Sequence, residues 1–208
     1  RSGRVTGVQT CALPISIFIL SVILSFIGSM IIVSEVANLV YYMFPVPEEF
    51  IEMMDSVDSN VLGLLAAVIV APLTEEFFFR GLILRGLINN YSIRYSIIIS
   101  AFLFGAMHMN IWQMIPAILL GLYFGWVYLL SGNIWVVLIL HAVQNISSYL
   151  LEMKEVYIPG MIYPIADGVQ FQSIWLDLFG AALFILGYLL LKNYELANSP
   201  IQNIEIKK

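Results

Sequence analysis

The chain has 208 residues, of which 61% are apolar and only 11% are charged, and its formal net charge is −5. Charged residues make up about a quarter of a typical soluble domain, so this composition excludes an ordinary soluble globule and a disordered chain. The negative charge leaves no basic surface for a phosphate backbone, which excludes a nucleic-acid binder. The composition therefore predicts a polytopic membrane protein whose main partner is the lipid bilayer.

The first residues differ from the rest of the chain. Residues 1–15 read RSGRVTGVQTCALPI, lack Met and are more polar than the run that follows. Cys11 is the single cysteine of the chain, which excludes a disulfide framework and a CxxC metal or redox site. We expect 1–15 to be a non-native adapter stretch, 16–192 to be one membrane domain, and 193–208 to be a polar cytoplasmic tail.

Six apolar runs are long enough to be membrane spans, because a bilayer core of about 30 Å needs about 20 helical residues. Segments 45–60 and 152–172 carry Pro and charged residues and separate the runs as exposed loops. We therefore predict an all-α transmembrane bundle of about six spans. The predicted spans are 15–44, 61–88, 92–110, 112–130, 134–151 and 173–192.

The basic residues favour one orientation of these spans. If the N-terminus is cytoplasmic, five of them fall on the cytoplasmic side and only Lys154 falls outside. Because cytoplasmic loops are enriched in Lys and Arg, we expect a multi-pass protein of a bacterial cell membrane with both termini in the cytoplasm. The five residues are Arg85, Arg94, Lys192, Lys207 and Lys208.

Polar side chains inside the predicted spans are the candidate functional residues, since an ionised group at mid-bilayer costs about 2.5–3.5 kcal/mol on insertion scales. In the second span, Glu76 and Arg80 are four residues apart and can pair, which leaves Glu75 free for other work. A rise of about 1.5 Å per residue places Glu75, His108 and His141 in one mid-membrane slab. The site is therefore predicted to form from spans two, three and five.

These side chains could activate water in two ways. Glu75 could act as a general base while an imidazole and the Asn145 amide stabilise an oxyanion. Glu75, His108 and His141 could equally hold Zn²⁺ or another divalent metal with one open position. Intramembrane Glu and His also build proton relays, so a proton-coupled transporter is a less favoured alternative. No inverted repeat supports that alternative.

Three motifs occur in order on separate predicted spans: EExxxR at 75–80, FxxxH at 104–108 and HxxxN at 141–145. Over about residues 60–151, the chain resembles the CPBP family of intramembrane proteases. This family, also called Abi, groups CaaX prenyl proteases with bacteriocin-processing and bacteriocin-immunity proteins. The resemblance implies an endopeptidase that cleaves a membrane-associated, prenylated or leader-peptide substrate. A non-proteolytic immunity or binding protein stays open as the alternative.

The resemblance also implies a role for each motif residue. Glu75 would activate water, and His108 would assist it or bind the same water or metal. His141 and Asn145 would stabilise the oxyanion, and the ion pair of the EExxxR motif would orient the other groups. Both a metalloprotease and a metal-free glutamate mechanism would use these residues.

Overall fold

The computed structural model describes residues 15–52, 61–153, 158–161 and 168–198. The predicted adapter stretch lies outside this part of the chain except for Ile15, and the tail beyond 198 lies outside it as well. All regular structure in the described ranges is helical, which confirms the predicted all-α fold. The long helices are α1 (Ile15–Met43), α2 (Val61–Ile88), α3 (Ile93–Ala106), α4 (Ile111–Ser131), α5 (Ile134–Met153) and α6 (Ile174–Asn198).

The helices differ in their ability to cross a bilayer. Within the described residues, α1, α2, α4 and the Ile174–Tyr194 part of α6 are long and apolar enough to do so. α3 is shorter, with only 14 residues, whereas α5 has 20 residues. At about 1.5 Å per residue, α3 extends only about 21 Å. α3 is therefore clearly shorter than the other long helices in the described ranges, and the predicted span 92–110 is not a helix of full bilayer length.

A capped turn ends α3 earlier than the sequence predicted. Met109 has a positive φ of 54°, and Asn110 is extended and accepts a hydrogen bond from the Gln113 N–H at 2.8 Å. This asparagine caps α4 and reverses the chain. Span 92–110 is thus a helix of 93–106 followed by a turn. At the other end of the protein, α6 continues to Asn198, so the first residues of the predicted tail are helical.

The bundle is held together by helix α4 and by the pairing of α1 with α6. α1 packs extensively against α6 and also against α4, while α3 packs along α4. α2 contacts both α3 and α5. The main core lies between α1, α4 and α6, with contributions from α2 and α5, and its fully buried members include Phe124, Val127 and Leu191. This core supports the α4 face on which the polar residues of α2 and α5 lie.

Glycines bring the backbones of α1 and α6 close together. A Cβ atom on Gly28 would lie 2.6 Å from the Gly180 carbonyl oxygen and 2.8 Å from the Phe184 Cα. Because these neighbours are backbone atoms, a side chain at this position would force the helices apart. Small residues at such positions allow close packing of membrane helices.

We expect Gly28→Ala to destabilise the protein by about 1–3 kcal/mol, as overpacking a tight contact usually does. The measurement is the midpoint of thermal unfolding of the purified protein in detergent. Gly86→Ala is the matched control, because a Cβ there would meet no heavy atom within 4 Å. In the control, removing a helical glycine should raise stability by about 0.5–1 kcal/mol. Unchanged stability of Gly28→Ala would contradict the close contact.

Helix α2 is not regular along its length. Two π-helical stretches, Ala66–Val70 and Phe77–Leu84, flank an α-helical segment, Ala71–Glu76. Pro72 has no N–H to donate to the carbonyl four residues before it, which accounts for the irregular helix on its N-terminal side. π-helical turns occur frequently at functional sites. In this chain they bracket the two adjacent glutamates of the EExxxR motif.

Candidate active site

The predicted ion pair between Glu76 and Arg80 is present and buried. Arg80 Nη1 donates to Glu76 Oε1 at 2.9 Å. The Arg80 side chain is 1% exposed and the Glu76 side chain is 0% exposed. Arg80 Nη2 also donates to the Gly121 carbonyl at 3.3 Å. The pair therefore connects α2 to the backbone of α4 and fixes the position of the Glu76 carboxylate.

Two aromatic rings enclose the pair. The Arg80 guanidinium carbon lies 4.5 Å from the Phe104 ring centroid and 5.6 Å from that of Phe124, within the range of cation–π attraction. The same rings contact the His141 imidazole, with centroid distances of 5.8 and 5.6 Å. The sequence identified Phe104 as part of a motif but gave no signal for Phe124. Phe124 is a site residue that only the packing of α4 against α5 reveals.

His141 lies between the two glutamates of α2. Its Nδ1 is 2.9 Å from Glu76 Oε1, and its Nε2 is 3.8 Å from Glu75 Oε2. A carboxylate oxygen can only accept a hydrogen bond, so Nδ1 carries a proton and donates a hydrogen bond to Glu76. This assignment follows from the hydrogen-bonding partner. Glu76 therefore orients His141 so that Nε2 faces the Glu75 carboxylate.

His108 reaches the site from a turn rather than from a helix. The sequence predicted it inside the third span, but α3 ends at Ala106. Its Nδ1 lies 3.1 Å from the Phe104 carbonyl oxygen, which can only accept, so the neutral imidazole keeps a lone pair on Nε2. Its ring contacts the Phe104 ring edge-on at 5.5 Å, as the four-residue spacing predicted. The Phe104 ring also contacts the His141 imidazole, so one ring lies against both histidines.

Asn145 lies one turn beyond His141 on α5, and its amide contacts the backbone of α2. Asn145 Nδ2 donates to the Ala67 carbonyl at 2.7 Å, inside the first π-helical stretch. An asparagine amide has two N–H groups, so one further donor remains. The observed hydrogen bond of Asn145 therefore goes to the backbone of α2 and not to a carboxylate, just as that of His108 goes to the backbone of α3.

The donor types at this site suit Zn²⁺, which takes imidazole nitrogens and carboxylate oxygens. The arrangement of these donors suits Zn²⁺ less well than their chemical types do. Throughout the ranges that the structure describes, no three His, Cys, Asp or Glu side chains are grouped so that they could hold a metal ion. The proposed ligand set of Glu75, His108 and His141 is therefore not assembled as a metal centre in this conformation.

Comparison with known proteins relates the region of these residues to a known family. The family model for type II CAAX prenyl endopeptidases, described as Rce1-like, matches residues 57–147. The "Putative membrane peptidase YdiL" of Bacillus subtilis (strain 168) is 23% identical to the chain over 148 residues. The resemblance to the CPBP family is thereby confirmed. The Rce1-like region contains all three motifs and includes α2, α3, α4 and most of α5.

These matches cover only part of the chain and part of the relative. The alignment with the Bacillus protein covers 70% of this chain and 57% of that relative, so the chain spans little more than half the length of the curated relative it matches. No solved structure matches the chain. The Rce1-like region and the apolar helices together identify a membrane protein.

Proposed function

We propose that the protein is an intramembrane endopeptidase that hydrolyses a peptide bond of a membrane-associated substrate. The observation that carries the proposal is the placement of Glu75 opposite His141. The 3.8 Å between Glu75 Oε2 and His141 Nε2 is too long for a direct hydrogen bond and leaves both atoms available to one water molecule. The Glu75 side chain is 16% exposed, so water and substrate can reach its carboxylate, whereas Glu76 is closed off.

In the proposed reaction, Glu75 takes a proton from water as the water oxygen attacks the scissile carbonyl carbon. The proton then passes to the leaving amine, and the peptide C–N bond breaks. A general base of this kind typically contributes 10²–10⁴-fold to the rate. His108 Nε2, with its free lone pair, holds the attacking water beside Glu75.

The oxyanion would be stabilised by α5. Since Nδ1 of His141 is already used on Glu76, His141 donates to the oxyanion only in its doubly protonated form, between the carboxylates of Glu75 and Glu76. The second N–H of Asn145 is the other available donor. Donors of this type are typically worth 10²–10³-fold in kcat.

The predicted mid-membrane location of the site and the family resemblance support a membrane-associated substrate. A peptide bond reaches mid-membrane only if its chain is anchored to or inserted in the bilayer. Prenylated CaaX peptides, leader peptides and single-span membrane peptides all meet this condition. We favour a leader peptide or a membrane protein, entering from the bilayer or from the predicted cytoplasmic side of a bacterial membrane.

A cleavage assay in proteoliposomes tests the proposal. The wild-type protein and Glu75→Ala, matched for the amount inserted, are incubated with the three peptide classes and the products are identified by mass spectrometry. Cleavage by the wild type alone supports the endopeptidase and identifies its substrate class. Equal cleavage by Glu75→Ala would overturn the mechanism. Protection against a bacteriocin that survives Glu75→Ala would favour the immunity alternative instead.

A chelator arm of the same assay addresses the metal. The metal-free route predicts that cleavage persists after treatment with a divalent-metal chelator. Loss of activity that Zn²⁺ restores would show that Glu75, His108 and His141 rearrange into a ligand set when the metal binds.

A further inference from the structure

A second polar cluster lies at the C-terminal part of α1, where the connection between α5 and α6 packs against it. We call Glu35, Asn38, Gln172 and Asp177 the Glu35 cluster. Asn38 Nδ2 donates to Glu35 Oε2 and to the Gly160 carbonyl, both at 2.7 Å. The Gln172 backbone N–H donates to the same Glu35 oxygen at 3.0 Å. The cluster therefore ties α1 to the connection between α5 and α6.

The two amide side chains are buried and direct their donors to acceptors. Asn38 is 0% exposed and Gln172 is 7% exposed. Gln172 Nε2 donates to the Ile31 carbonyl at 3.1 Å and to the Ser34 hydroxyl oxygen. Because every contact of these NH₂ groups is with an acceptor, the assignment of their oxygen and nitrogen atoms is fixed. The side-chain oxygens of Asn38 and Gln172 therefore take no part in these hydrogen bonds.

The register of α1 and α6 places Asp177 beside this network. The two helices run antiparallel, and a Cβ atom on Gly180 would lie 2.6 Å from Ile31 Cγ2. Asp177 is three residues before Gly180 and Ser34 is three residues after Ile31, so this antiparallel register brings Asp177 to the level of Ser34 and Glu35. Asp177 and Glu35 are both carboxylates and carry like charge when ionised.

Three oxygens of the cluster have no hydrogen-bond partner. They are Asn38 Oδ1, Gln172 Oε1 and Asp177 Oδ1, and all three atoms are buried. Among the described residues, the ion pairs involve only the active-site groups, so none of the described Lys, Arg or His side chains neutralises Glu35 or Asp177. Buried polar groups without partners are rare and indicate a missing water or ion.

We propose that the Glu35 cluster binds a divalent cation of the Ca²⁺ class. A single proton shared by the carboxylates would provide one donor and would leave at least two orphaned oxygens without a partner. A cation coordinates several oxygens together and also neutralises two carboxylates. Ca²⁺ takes six to eight oxygen ligands from carboxylates, amide carbonyls and water, whereas Mg²⁺ demands a stricter octahedron and keeps most of its water.

The position of the cluster allows ions to reach it. α1 has 29 residues, about 43 Å at 1.5 Å per residue, and so exceeds the hydrocarbon core of about 30 Å. Glu35 lies in the last third of this helix and Asp177 lies in the first turn of α6. Both therefore lie towards the membrane surface, where Glu35 is only half-buried. A bound cation would fasten the connection between α5 and α6 to α1.

Calorimetric titration of the full chain in detergent with CaCl₂ tests this site. We expect the wild type to bind one Ca²⁺, and both Asp177→Asn and Glu35→Gln to bind it at least tenfold more weakly. Glu48→Gln is the matched control, because Glu48 is an exposed carboxylate in the helical segment 48–52 that follows α1, outside the cluster. MgCl₂ in place of CaCl₂ should bind at least tenfold more weakly to the wild type.

Two results would overturn the proposal. One is the absence of saturable Ca²⁺ binding by the wild type, and the other is unchanged binding in both variants. A thermal midpoint that rises as the pH is lowered, with no response to Ca²⁺, would assign a shared proton to the cluster instead. If Glu35→Gln fails to fold, Asp177→Asn decides the matter, because the Asp177 oxygen that is lost has no hydrogen-bond partner. The test does not depend on proteolytic activity.

Discussion

Replacing Glu75 with glutamine is expected to lower kcat for peptide cleavage by about 10²–10⁴-fold, the contribution of a general base. Glutamine has nearly the shape of glutamate, so the helix and the space opposite His141 Nε2 are preserved. Its amide cannot take a proton from water. The loss should therefore appear in kcat, while KM changes little because the substrate still binds.

The measurement is steady-state cleavage of the best peptide substrate in proteoliposomes. Glu49→Gln is a suitable control, because Glu49 is an exposed carboxylate outside the site and its replacement should leave kcat unchanged. A Glu75→Gln enzyme within tenfold of the wild type would reject Glu75 as the base. In that case the Nε2 atoms of His141 and His108, whose Nδ1 atoms are the ones in observed hydrogen bonds, would be the next candidates for the base.

Replacing Arg80 with methionine is expected to destabilise the protein by about 3–5 kcal/mol, because it leaves the Glu76 carboxylate buried without its cation. The change also removes the hydrogen bond to the Gly121 carbonyl and the contacts with the rings of Phe104 and Phe124. We expect a large loss in thermal or denaturant stability in detergent. Loss of activity should follow, because the Glu76 oxygen that orients His141 is no longer held.

The double variant Glu76→Gln/Arg80→Met separates charge from packing. If the uncompensated carboxylate dominates, the double variant should be more stable than Arg80→Met alone, although one residue more has changed. Additive losses would instead show that the two residues contribute through packing and not as a pair. Far-UV circular dichroism of each variant shows whether the helices are intact before stabilities are compared.

The sequence predicted the parts of this protein that depend on helical periodicity. The four-residue spacing of Glu76 and Arg80 specifies one face of a helix, and the pair is found there. The spacing of Phe104 and His108 likewise predicted their contact, although His108 lies just beyond the helix end. The three motifs also carried the family resemblance that the comparisons support. Such predictions succeed because they rest on local geometry.

Other features could not be predicted because they depend on tertiary packing. The early end of α3 follows from the reversal at Met109 and Asn110, inside an otherwise apolar run. Phe124 enters the site because α4 crosses both α2 and α5, and no spacing in the sequence marks it. The contact between Asn145 and Ala67 likewise depends on a π-helical stretch that periodicity does not show. Orientation across the membrane and the roles of the six residues stay predictions.

The short helix α3 bears on how water would reach the proposed hydrolytic site inside a lipid membrane. A helix about 21 Å long cannot cross a hydrocarbon core of about 30 Å, so the bilayer must become locally thinner or the polar turn after Ala106 must lie below the headgroups. In either case the aqueous phase extends inward to His108. Water would then enter from this end of the bundle by a short route, while the remaining helices keep full bilayer thickness and insulate the carboxylates.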